Sequence, residues 1–145
     1  MPFFKSTYSV TVGDKLFLSF QKSYIALTYV YLHFISGEAL GAIASPDVKE
    51  ILEEYADDPV IEVAETCQLA LSRLKWLTES AELEKVSENP YASVDPAPPS
   101  QESDVTVLEQ MLQNESLNLF DRYRAMFSLR NLNTPESVLV LCEGT

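Results

Sequence analysis

Slid along itself by sixty positions, the chain lays ILEEYADDPVIEVAETCQLALSRL (51–74) over MLQNESLNLFDRYRAMFSLRNLNT (111–134) without a gap. Ile51 meets Met111, Leu52 meets Leu112, Val60 meets Phe120, Cys67 meets Phe127 and Leu69 meets Leu129. A shorter echo, offset by twenty-nine, relates GEALGAI (37–43) to TCQLALS (66–72). Units of about thirty residues, each a pair of helices, cannot bury their apolar stripes alone and must stack. This repetition predicts an all-α fold, an α-solenoid of helix pairs.

The helices inside each unit are legible. In SPDVKEILEEYADDP, Val48, Ile51, Leu52 and Tyr55 recur at i, i+3, i+4 and i+7, which is one helical face. Asp58 is placed to cap the next helix, with Pro59 in its first position, where no amide hydrogen bond is lost. Val60, Ala64, Cys67, Leu71 and Leu74 are expected on its buried face, and SRLKW ends it near Leu77. The same polar–proline opening recurs at Ser45–Pro46 and Thr134–Pro135. Between the copies, SENPYASVDPAPPSQES (87–103) holds four of the eight prolines, so it reads as an extended linker with Tyr91 and Val94 as candidate pins.

Ten Lys and Arg against twenty-two Asp and Glu leave a net charge of −12, which disfavours nucleic acid and anionic membranes and favours basic partners or cations. The distribution is uneven. Residues 1–36 contain a single acid, Asp14, three lysines and nine of the fourteen phenylalanines and tyrosines. Their most apolar run, SYIALTYVYLHFI, has thirteen residues where a membrane helix needs ~20, and no small-residue cleavage site follows it. Its β-branched and aromatic density suits a strand or hairpin, although the segment after it is helical. We read residues 1–36 as an unassigned leader, foreign to the domain that follows and consistent with a misassigned first coding segment. Cys67 and Cys142 read as reduced thiols of a cytoplasmic protein, Cys67 as a small buried hydrophobe.

GEALGAI, DPVIEVAETCQLALSRLKWL, NPYASVDPAPP and LFDRYRAMFSLRN together resemble the deoxyhypusine hydroxylase family of HEAT-repeat enzymes, over about residues 37–143. The resemblance implies a central fragment. Residues 37–86 would be HEAT-type repeats closing a first half, 87–103 the proline-rich linker, and 104–145 the truncated opening of a second half. It also implies an iron-dependent monooxygenase acting on the deoxyhypusine side chain of a translation initiation factor. In that family two irons are held by four His–Glu pairs, two from each half, a donor set suited to iron and to dioxygen.

The same resemblance puts one His–Glu pair immediately before a small residue and GEALGAI. Here the small residue is Ser36, and the pair positions hold Phe34 and Ile35, neither of which can bind metal. The lone histidine, His33, stands one place early, about 100° round a helix. His33 and Glu38 diverge by roughly 140°, poor spacing for two ligands on one helix. Glu38 keeps its place in the motif and is the one candidate cleft remnant. Val63–Ala64 hold the equivalent register of the next repeat, which is structural in the family too. The remaining pairs would precede residue 1 or follow LCEGT, so no catalytic or metal residue is expected in this chain.

No Cys-x-x-Cys, phosphate-binding glycine loop or Gly-x-Ser-x-Gly offers another chemistry. Asp57, Asp58, Glu62 and Glu65 form an acidic edge expected to be solvated, and Arg122 and Arg124 are expected to pair with nearby acids. Val138, Leu139 and Leu141, in a last helix whose partner would follow Thr145, are expected to lack cover, leaving a chain that is marginally folded alone or associates through its ends. Two functional readings follow: an inactive fragment of the hydroxylase, or an interaction module that keeps the helical scaffold without catalysis.

Overall fold

The computed structural model describes residues 12–79 and 89–143. Among them every regular element is helical: α1 (Val12–Ile43), a 3-10 turn (Pro46–Val48), α2 (Lys49–Tyr55), α3 (Ile61–Glu79), α4 (Val105–Gln113), α5 (Leu119–Leu132) and α6 (Pro135–Glu143). The helices stack as an α-solenoid, α1 and α2 against α3, then α4 and α6 against α5. No described helix is long and apolar enough to cross a membrane.

The first helix corrects one sequence reading. SYIALTYVYLHFI is not a strand: it lies inside α1, whose 32 residues run unbroken across the change in composition at 36/37. Strand preference largely measures fit to a pleated neighbour. Here most of the described run is exposed, and what it touches is helical or leads into a helix, Tyr29 meeting Asp58 and His33 meeting Tyr55.

The twenty-nine-residue echo has a direct structural meaning. Gly37 lies against Thr66 and Cys67, Gly41 lies against Ala70, and the Tyr29 hydroxyl donates to the Asp58 carboxylate at 2.9 Å. All three contacts keep one offset, so α1 and α3 run side by side in the same direction. The approach is close because two glycines face the seam: a methyl group on Gly41 would stand 2.8 Å from the Ala70 Cβ.

The polar–proline openings at Ser45 and Thr134 work as expected, whereas α3 begins at Ile61, so Pro59 stands ahead of that helix rather than in its first position. Ser45 Oγ accepts from the Asp47 amide, and Asp58 Oδ1 accepts from the Val60 amide at 2.8 Å. Thr134 and Ser137 cap α6 reciprocally, each side-chain oxygen accepting from the other's amide at 3.1 and 3.0 Å. Asp104 and Asn118 cap α4 and α5 without a proline after them.

Two cores result. Leu52, Val63, Cys67, Ala70 and Leu74 form the first, and Leu108, Ala125, Leu129 and Val140 the second. The expected α3 face is half right: Ala64, Cys67 and Leu74 are buried, while Val60 and Leu71 are half-buried. Val63, Leu69 and Ala70 join them because α3 packs against α1, α2 and α5 at once. On α2, Ile51 is exposed rather than buried, since that short helix meets α3 through Leu52. On α6, Val138 and Leu139 are exposed as expected, but Leu141 packs against the second core.

Candidate functional site

Between α1 and α3 on one side and the proline-rich segment with α5 on the other lies a cleft of about 370 Å³. The α1 wall is Phe34, Ile35 and Glu38, aligned at helical spacing on one face. The α3 wall is Thr66, Leu69 and Arg73, and the far wall is Val94, Asp95, Pro96 and Tyr123. Glu38, exposed, thus lines the cleft beside Phe34 and Ile35, the two positions where the resemblance would put a His–Glu pair. The lining is largely apolar, with one free-standing carboxylate at its rim.

His33 lies elsewhere. Its ring stacks on Tyr29 at 3.9 Å between centroids and approaches Tyr55 at 5.2 Å, while Nδ1–H donates to the Tyr29 carbonyl at 2.8 Å. It therefore belongs to the junction of α1 with α2, and it does not share the cleft with Glu38. Beside it, the hydrogen bond to Asp58, then desolvation and the Asp58 charge, raise the Tyr29 phenol above its ordinary value. Among the described residues, no three of His, Cys, Asp and Glu come together as a metal-binding group.

The far wall is held by arginines. Arg130 Nη1 and Nη2 donate to the two Asp95 carboxylate oxygens at 2.9 and 2.7 Å. Burial acts to raise the Asp95 carboxyl, but hydrogen bonds from Arg130 and Ser93 and the charges of Arg130 and Arg73 outweigh it, holding the group below the ordinary carboxylate value. Arg73 Nε donates to the Asp95 carbonyl at 3.1 Å and Nη1 to the Gly41 carbonyl at 2.9 Å. Desolvation pulls the Arg73 guanidinium below its usual value, with Asp95 opposing. Further along, Arg124 Nε donates to the Pro98 carbonyl at 3.3 Å, and the Ser100 amide donates to the buried Ser128 Oγ at 2.8 Å.

Several sequence expectations change here. Tyr91 does pin the linker, through its ring 4.9 Å from the Arg130 guanidinium, but Val94 is exposed and lines the cleft instead. The residues that anchor this segment, Asp95, Arg73 and Arg130, were not singled out. Their signal was Asp95 before proline among polar turn residues, and its partners lie 22 and 35 positions away. Arg122 donates to the Leu112 carbonyl rather than pairing with an acid. Asp57, Glu62 and Glu65 are exposed as expected, whereas Asp58 is half-buried and engaged by Tyr29. Cys67 is buried, and desolvation, followed by the Asp58 charge, raises its thiol above the usual range.

The PBS lyase HEAT-like repeat family matches residues 121–144. A deoxyhypusine hydroxylase from Danio rerio is 61% identical over 111 residues, covering 75% of this chain and 36% of that protein. The Homo sapiens deoxyhypusine hydroxylase is 57% identical over 109 residues, covering 75% of this chain and 35% of that protein. The solved structure of human deoxyhypusine hydroxylase in complex with glycerol superposes with a TM-score of 0.70 at 55% identity, over 76% of this chain and 38% of that one. The chain spans about a third of the length of the curated relatives it matches.

Proposed function

We infer that this chain, homologous over three quarters of its length to the deoxyhypusine hydroxylases, supplies one section of that family's helical scaffold and does not itself carry out the oxidation. The activity to which such a scaffold belongs is iron-dependent hydroxylation of the deoxyhypusine side chain on its translation initiation factor, in the cytoplasm. One observation carries the reading. Phe34 and Ile35 line the cleft at the two places where the resemblance puts a His–Glu pair.

Iron in such a site is held by imidazole nitrogens and carboxylate oxygens. A phenyl ring and a branched alkyl chain present no lone pair. Glu38 is one carboxylate, and Asp95 is engaged by Arg130. The residues lining this cleft therefore do not fit a pair of irons, and no oxygen chemistry is assigned to them. Glu38 is read as the remnant of the family's cleft wall, and 37–86 and 104–145 as repeats on either side of the linker.

The test uses the 145-residue protein as it stands. Iron bound after purification is measured, and the deoxyhypusine-bearing factor is then incubated with the protein and its mass determined. The expected result is iron far below one equivalent and no added oxygen. Near-stoichiometric iron together with hydroxylated factor would overturn the reading. An interaction module is the second reading, supported by an acidic chain of net charge −12 and a cleft with a carboxylate rim, both suited to a basic partner. Binding of the factor without turnover favours it.

A further inference from the structure

Among the described residues the two core clusters share no side chain, and the helix groups meet where α3 packs on α5 and through the proline-rich segment. Asp95 stands on the path between them. Its carboxylate takes the fork of Arg130 from α5, a hydroxyl from Ser93 at 2.7 Å and an amide N–H from Asn89 at 3.0 Å. Its main-chain carbonyl takes Arg73 from α3, and Arg73 reaches on to the Gly41 carbonyl of α1. A single residue thus links α5 through its side chain and α3 through its backbone.

The link is stiff. The Arg130 guanidinium is flanked by the Tyr91 and Phe127 rings, with centroids 4.9 and 4.7 Å away. Its side chain is 26% exposed and that of Asp95 10%, so water screens the pair far less than a surface ion pair. A bidentate arginine–carboxylate contact fixes orientation as well as distance. Past Asp95, the segment stays on α5 through Arg124 with Pro98 and Ser128 with Ser100. If the carboxylate lets go, the segment keeps its tie to α3 through the Asp95 carbonyl and to α5 through Arg124 and Ser128, while the fork that orients α5 against it is lost.

We propose that the Asp95–Arg130 pair is a pivot that sets the angle between the two helix groups, and with it the width of the cleft between Phe34 and Tyr123. This rests on the geometry of the fold and stands apart from the hydroxylase reading. The pivot holds the far wall, where Val94, Asp95 and Pro96 face α1. Width follows angle because that wall is carried by the segment and the opposite wall by α1 and α3.

The chain carries its own probes. Trp76 is the one tryptophan and lies on α3, while Cys142, on α6, is exposed and Cys67 is buried. Energy transfer from Trp76 to a dansyl group on Cys142, measured with time resolution, reports the distance distribution between the two groups. Asp95→Asn and Arg130→Gln are each expected to broaden and shift that distribution with far-ultraviolet helicity unchanged. Lys49→Gln, which removes an exposed pair with Glu53, is expected to leave it as it was. An unaltered distribution in Asp95→Asn overturns the proposal. Loss of helicity in both variants overturns it equally, because the pair would then be supporting the helices themselves rather than the angle between them.

Discussion

A single methyl group separates tolerated from forbidden at the seam of α1 and α3. In Gly41→Ala the added carbon meets the Ala70 Cβ at 2.8 Å, with the Ala70 Cα at 3.3 Å, so backbone has to move. Overpacking of this kind costs about 1–3 kcal/mol, against about 1 kcal/mol gained from alanine's helix preference. Gly37→Ala meets only the tip of Thr66, at 3.2 Å, and the Cys67 sulfur at 3.4 Å. Urea unfolding of the two variants should therefore show a clear loss of stability for Gly41→Ala and a much smaller change for Gly37→Ala; equal midpoints would contradict the seam. The motif was visible in the sequence, but its purpose was not, because spacing names a face without naming the neighbour. The same limit hid Asp95, whose partners are far along the chain. Glu38 is singled out by the resemblance alone, through its place in GEAL, and the fold puts it on the wall of the cleft.

At the level of elements, the caps were the most readable part of the chain. A side-chain oxygen followed by proline declares a helix start by chemistry alone; all three oxygens accept an amide N–H, although Pro59 lies two residues ahead of α3 rather than in its first position. Removing the oxygen in Thr134→Ala leaves the amide of the fully buried Ser137 without its acceptor. A loss of about 1 kcal/mol in chemical denaturation is expected, with Thr134→Ser retaining most of it. Less readable were the faces. Helix α3 buries more of its circumference than one apolar stripe suggests, since small residues such as Ala64 and Ala70 let neighbours approach on several sides. In residues 1–36 the β-branched and aromatic density suits a strand while the following segment reads as helical, so composition leaves the segment unassigned, and the structure carries helix α1 back to Val12.

For the molecule as a whole, the two cores make one cooperative body only if something transmits strain between them. Asp95 titrates below its ordinary value of 3.8, so its stabilising contribution is complete above that pH and is lost as pH falls through the lower folded value. Unfolding followed at Trp76 and at a label on Cys142 should coincide at neutral pH and move apart in acid, below 3.8. In Asp95→Asn the two transitions should already differ at neutral pH, and coincidence throughout would count against a shared pivot. Stacking and order of helices were readable from the repeats, whereas the cleft was not, because it lies between elements that no local pattern connects. The constant offset of twenty-nine along the α1–α3 seam has one more effect. It turns residues 37–65 into a cassette: copied in tandem, they would lengthen the array by one rung, with both joins in phase. A copy two residues shorter or longer would turn the downstream helix by about 200° and set its polar side to the interior.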